Sequence, residues 1–120
     1  MSVAYLVTCY NKSRYIAGVL DAIIYERRAT GGEIIVMDDG SGDGSPDIIA
    51  DRATNQPKFW VLRQDNAGVV SATNAVFLRC RQPTFRLIDA DDIVAPGSTI
   101  ALLNGLRRSS LDIVFGEVDR

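Results

Sequence analysis

Apolar residues along this chain fall into two alternating rhythms. Short, nearly unbroken apolar runs occupy Val3–Thr8, Glu33–Met37, Phe59–Arg63 and Thr84–Ile88, with a further one at Leu111–Phe115. After the first run, apolar positions instead recur three and four apart, as in Tyr15, Ile16, Val19, Leu20, Ile23 and Ile24. The short runs have the length of buried strands, whereas the three-four spacing places one apolar stripe on a helix. The first stripe predicts a helix capped by Ser13, ending near Arg28 and packed on the core. Ser45-Pro46 has the residue types of a cap and a first helical residue, and predicts a short helix to about Thr54. A third helix is expected over Val69–Cys80, with Val69, Val70, Thr73, Asn74 and Phe77 on one side. Pro96-Gly97 interrupts the chain before a fourth, running to about Arg108 and packed by Leu102, Leu103 and Leu106.

Strands alternating with helices predict an α/β fold, a Rossmann-like, mostly parallel sheet with helices on both faces. Right-handed crossovers make the strand order 3-2-1-4. Ligands in such sheets bind at the carboxyl ends of the strands, beside the point where the order reverses, here between strands 1 and 4. Those ends carry Thr8–Tyr10, Asp38-Asp39 and Asp89–Asp92. Three separate loops therefore bring polar groups to one crevice.

Composition narrows the chemistry. The chain has 120 residues, 47% of them hydrophobic, enough for one core. A net charge of −2 gives no reason to expect nucleic acid or a membrane surface as partner. No apolar run is long enough to cross a bilayer, and the first residues lack a basic segment followed by a long apolar one, so no signal peptide is expected there. Cys9 and Cys80 read as free thiols in a reducing compartment. A cytoplasmic location is expected, with any membrane association lying beyond Arg120. Histidine is absent, which excludes Ser-His-Asp and Cys-His triads and His-based zinc sites within this chain. Twelve of the fifteen acidic residues are Asp, the type suited to turns and metal loops rather than helix faces.

The acid is concentrated where the fold would place a ligand. Phe85–Ile88 is apolar apart from Arg86, and Asp89, Asp91 and Asp92 follow at once. Carboxylates that close repel one another, and a hard divalent cation such as Mn2+ or Mg2+ relieves the repulsion. In an extended segment, residues two apart point the same way, so Asp89 and Asp91 would share one metal. That metal would act as a Lewis acid toward a diphosphate leaving group. A solvated Asp-rich turn is the plain alternative. Asp38–Gly44 partly imitates a calcium loop, but Pro46 lies inside it and Ala50 stands where a closing Glu belongs. No Gly-Lys-Ser/Thr follows, and no Gly-x-Gly-x-x-Gly follows strand 1, so neither phosphate-loop fingerprint is present. Asp38 reads as a turn or cap residue, and Asp39 as an acceptor toward ribose or a base edge.

Together these segments resemble the nucleotide-binding half of a family-2 glycosyltransferase of GT-A fold. Val7-Thr8-Cys9-Tyr10-Asn11 is similar to the opening strand and turn, and Ile34–Ser45 to the Asp-Asp-Gly-Ser loop. Asn66-Ala67-Gly68 with Ala72 and Asn74 resembles the next segment, and Leu87–Asp92 the metal motif. The resemblance spans essentially the whole chain. It implies that Thr8 and Tyr10 border the nucleobase and that Asp39 accepts from a uracil-type N3–H. It implies Asp89 at the ribose or the metal's water shell, Asp91 as main metal ligand and Asp92 as its helper. The implied reaction is inverting transfer from a nucleoside-diphosphate sugar, a UDP-sugar being favoured, to an acceptor hydroxyl on a glycan, lipid or protein.

Two departures accompany the resemblance. Thr73 stands where the family usually has Arg, and Glu26–Gly32 replaces its Gln-Thr turn. The family's acceptor base is implied well beyond the metal motif, and Glu117 and Asp119 follow strand 5, where that base is not placed. Residues 1–120 are therefore expected to be a fragment that binds the donor without turning over, with an open sheet edge inviting a homodimer. The competing reading is a catalytically silent nucleotide- or partner-binding module, which Thr73 favours. A sugar-1-phosphate nucleotidyltransferase would want a Gly-rich basic loop after strand 1, and Cys9–Arg14 has Lys12 and Arg14 but no glycine.

Overall fold

The computed structural model describes residues 2–109. Its elements alternate as expected: β1 (Ala4–Cys9), α1 (Ile16–Thr30), β2 (Ile34–Asp38), α2 (Ser45–Ala53), β3 (Phe59–Arg63), α3 (Val69–Arg79), β4 (Phe85–Asp89) and α4 (Ser98–Ser109). The strands form one parallel sheet in the order β3-β2-β1-β4. The expected fifth strand, Leu111–Phe115, lies outside the described residues, as do Glu117 and Asp119.

Strand alternation divides the core in two. Tyr5, Val7, Ile34, Val36 and Ile88 face α1, together with Ile16, Leu20, Ile23 and Leu103. Ala4, Leu6, Ile35 and Met37 face the other way, onto Ala72 and Val76 of α3. Helices α1, α2 and α4 thus cover one face, and α3 alone covers the second among the described residues. The central strands β1 and β2 are buried apart from the half-buried Thr8, whereas β3 and β4 are half-exposed edges.

The helix starts and faces depart from expectation in three places. Ser13 does not cap α1, whose first turn follows Tyr15 without a side-chain cap. The Ser13 N–H instead donates to Asp43 Oδ2 at 3.0 Å. Helix α2 begins at Ser45 itself, after Gly44. Helix α3 buries Ala72 and Val76, not the side carrying Val69, Val70 and Phe77, all of which are exposed. Ala72 and Val76, four apart on one side of the helix, pack on Ala4, Leu6, Ile35 and Met37.

Arg27 sits in the last turn of α1, where a cation suits the dipole. It is also buried and donates to the carbonyls of Pro57 and Lys58 and to Gln56 Oε1, tying α1 to the entry of β3. Glu26, likewise buried, accepts from the N–H groups of Gly97 (3.0 Å) and Thr99 (2.9 Å) and so caps α4 from another helix. Burial would raise the Glu26 carboxyl, but the donors from Thr99 and Gly97, with Arg86 nearby, outweigh it and hold it below its ordinary value. Arg86 donates to Ser98 Oγ and Thr99 Oγ1, both at 2.8 Å. The Asp-rich connection from β4 to α4 is thereby anchored at its far end.

Candidate functional site

The carboxyl ends of β1, β2 and β4 open into a crevice of about 400 Å³, lined by Thr8, Tyr10, Lys12, Asp39, Asn66, Asp89 and Asp91 among others. That volume lies within the range of small-ligand sites. A second hollow, of about 460 Å³, lies beside Tyr25, Glu26 and Ile100. Its one carboxylate is already occupied by the α4 backbone.

Register explains which side chains enter the crevice. Thr8 is paired with Met37 on one side and Asp89 on the other, so their side chains share the α3 face. Cys9 is paired with Asp38, which therefore points to the opposite face. There Asp38 is buried, accepts from the Ser41 N–H at 3.1 Å and pairs with Arg63. It is a turn residue, as the sequence predicts. Burial also raises the Cys9 thiol above its ordinary value, which keeps it protonated.

Asp39, one residue on, turns toward α3. It is only 4% exposed and its oxygens are fully engaged. Oδ1 accepts from Gln64 Nε2 (2.8 Å) and the Ala67 N–H (2.9 Å). Oδ2 accepts from the Gly68 N–H (3.0 Å) and Asn66 Nδ2 (3.3 Å). The Gln64 bond, with those from Ala67 and Gly68, lowers the Asp39 carboxyl below its ordinary range against the effect of burial. Gly40 makes this approach possible. Its φ is +78°, and a Cβ there would lie 2.6 Å from the Asn66 nitrogen. Asp39 therefore builds the Asn66-Ala67-Gly68 turn as well as lining the crevice, a role that residue types alone did not reveal.

The loop between β1 and α1 is stapled to the loop after β2. Asn11, at φ 51°, accepts from the Gly42 N–H at 2.8 Å and donates its own N–H to Ser41 Oγ at 2.9 Å. The Lys12 N–H donates to Ser45 Oγ at 3.1 Å. Asp43 accepts from the N–H groups of Ser45 and Ser13. The Ser45 side chain and these donors lower the Asp43 carboxyl to about 2.

Across the crevice stand Asp89, Asp91 and Asp92, each exposed, each offering an oxygen within 4.8 Å of the others. Thr8 Oγ1 donates to Asp89 Oδ1 at 3.3 Å, and the Asp89 N–H donates to Asp92 Oδ2 at 2.8 Å. Lys12 Nζ donates to Asp91 Oδ2 at 3.2 Å. The donor set is all oxygen, the chemistry preferred by Mg2+ and Mn2+. The Lys12 ammonium is the one cation paired with Asp91 among the described residues. The three carboxylates thus fit a hard divalent ion. All the expected site residues, Thr8, Tyr10, Asp39, Asp89, Asp91 and Asp92, lie at this end of the sheet; Lys12, missed as a site residue, joins them. Its sequence signal was slight, a lone basic residue after strand 1 that lacked the glycines of a phosphate loop.

Residues 5–120 match the family described as Glycosyl transferase family 2. A putative glycosyltransferase, EpsH of Bacillus subtilis, is 34% identical over 79% of this chain and 27% of its own length. Chondroitin synthase of Escherichia coli is 29% identical over 94% of this chain and 16% of its own length. The chain thus spans well under half the length of these relatives. Among solved structures, the mannosyltransferase PcManGT from Pyrobaculum calidifontis, in complex with GDP-Man and Mn2+, superposes with a TM-score of 0.77 at 23% identity, over 87% of this chain and 32% of the other. S. aureus TarS in complex with UDP superposes with a TM-score of 0.77 at 19% identity, over 92% and 33%. These superpositions establish a shared fold.

Proposed function

Since this chain belongs to glycosyl transferase family 2, we propose that its crevice binds the nucleoside-diphosphate part of a sugar donor, with a UDP-sugar favoured. The complete activity would be metal-dependent transfer of that sugar to an acceptor hydroxyl, with inversion. The observation that carries this reading is the convergence of Thr8, Asp39 and Asp89 on one sheet face. They sit where the strand order reverses, beside an all-oxygen cluster at Asp89, Asp91 and Asp92. The UDP complex of TarS and the GDP-Man and Mn2+ complex of PcManGT, two proteins of the same fold, support it.

In this reading Tyr10, exposed at the crevice mouth, offers its ring to the base. Asp39 meets a base N–H by giving up its longest contact, the 3.3 Å bond from Asn66. Thr8 holds Asp89 in place for the ribose or the metal shell. Asp91 is the principal metal ligand and Asp92, which also fixes the turn through the Asp89 N–H, assists it. A bound Mn2+ or Mg2+ would supply Lewis-acid stabilisation of the departing diphosphate. Among the described crevice residues the carboxylates are Asp39, Asp89 and Asp91, all with assigned work on the donor side. The base that activates the acceptor is therefore proposed to lie in an acceptor half outside this donor-binding region.

Calorimetric titration of the chain with UDP, with and without Mn2+, tests the reading. Metal-dependent UDP binding that disappears in Asp91→Ala is expected. Absence of binding by UDP, GDP and dTDP at any metal concentration would overturn it in favour of a silent module.

A further inference from the structure

Lys12 is the one basic side chain among the residues lining the crevice. Its backbone is fixed on three sides: the Lys12 N–H donates to Ser45 Oγ, while neighbours Asn11 and Ser13 are tied to Ser41, Gly42 and Asp43. Its side chain is not fixed in the same way. It crosses the crevice mouth to a single partner, Asp91 Oδ2 at 3.2 Å, with both side chains about two-fifths exposed (39% and 43%). An exposed pair of this kind contributes little and breaks readily. A lysine ammonium is a point charge on a flexible four-carbon stem, suited to moving between anions.

We propose that Lys12 is a tethered cation that occupies Asp91 in the empty site and transfers to the donor's diphosphate when the site fills, making divalent-metal binding and nucleoside-diphosphate binding mutually dependent. This rests on the donor-binding reading above. Two cations on one carboxylate repel each other, so Lys12 competes with a divalent ion at Asp91 while no anion is present. A diphosphate in the crevice gives the displaced ammonium a new partner of opposite charge. Competition then ends, and a second cation is added to the diphosphate's surroundings. Coupling of this kind is reciprocal: whatever factor the nucleotide adds to metal affinity, the metal adds to nucleotide affinity.

The test measures Mn2+ affinity by electron paramagnetic resonance of the free ion, on the full chain and on Lys12→Met and Lys12→Arg, each with and without saturating UDP. Thermal melting checks that the variants fold. Without UDP, Lys12→Met is expected to bind Mn2+ about two- to five-fold more tightly than the parent, the range of an exposed ion pair. High salt should shrink that difference. UDP should then raise Mn2+ affinity by a smaller factor in Lys12→Met than in the parent, with Lys12→Arg close to the parent. Equal Mn2+ affinities and equal UDP enhancement in the parent and Lys12→Met would overturn the role of Lys12 while leaving donor binding intact. Tighter Mn2+ binding with unchanged UDP enhancement would overturn the transfer to diphosphate. Failure of every variant to bind Mn2+, with or without UDP, would overturn the donor-and-metal reading itself.

Discussion

Asp38 and Asp39 are neighbours with opposite fates, and the two-residue period of a strand is the cause. Asp38 ends β2 on the α1 face and is consumed by Ser41 and Arg63, whereas Asp39 enters the crevice. The sequence made that division legible, because an Asp after a buried run must fall on one face or the other. It did not show that four donors from Gln64, Asn66, Ala67 and Gly68 would gather on Asp39. Those residues lie 25 to 29 positions later, and nothing local marks them. Asp39→Ala would leave buried donors without an acceptor, so a loss of about 2–4 kcal/mol in unfolding free energy is expected. The same variant should weaken UDP binding and leave Mn2+ affinity unchanged. Denaturant melts paired with calorimetry check both, and an equal loss of Mn2+ affinity would show that Asp39 and Asp91 do not divide their work.

At the scale of elements, the four described strands and the starts of α2, α3 and α4 are legible in the sequence to within a residue, whereas the start of α1 is not. Apolar runs report burial directly, but a cap depends on which partner comes near in space. Ser13 has the residue type of a cap, yet its N–H is drawn to Asp43, thirty residues away, and α1 starts later. The same Asp43 supports the start of α2 through the Ser45 N–H at 2.9 Å. Its carboxyl, lowered from 3.8 to about 2 by the Ser45 and Ser13 donors, binds its proton less readily folded than unfolded. Its stabilising contribution is therefore complete at neutral pH and fades as pH falls from about 4 to about 2. Thermal melts of the parent and Asp43→Asn across that window should differ most near pH 7 and converge near pH 2. A constant difference across the window would show that the side chain acts by shape rather than charge.

For the whole molecule, the order β3-β2-β1-β4 follows from alternation and right-handed crossovers, and the structure has it. What the strand order could not supply is how far α3 covers the edge strand β4. β4 pairs with β1 alone among the described residues. Register puts Phe85 and Leu87 beside Ala4 and Leu6, on the face where α3 sits over β1 and β2 but does not reach across β4. Phe85 is 43% exposed and Leu87 47%, and the Phe77 ring stands edge-on to Phe85 at 4.8 Å. Val70 and Ile93 are exposed as well. An apolar strip beside a strand whose outer edge has no partner among the described residues favours pairing with another chain. The 120-residue chain is accordingly expected to self-associate as concentration rises, and Leu87→Lys to shift it toward monomer. Sedimentation velocity over a concentration series reads this directly. Because residue 87 shares its strand face with Asp89, the uncharged Leu87→Gln is the companion variant that should also shift association and keep its Mn2+ affinity. A parent that sediments as a strict monomer at every concentration would show that this strip does not drive pairing between copies.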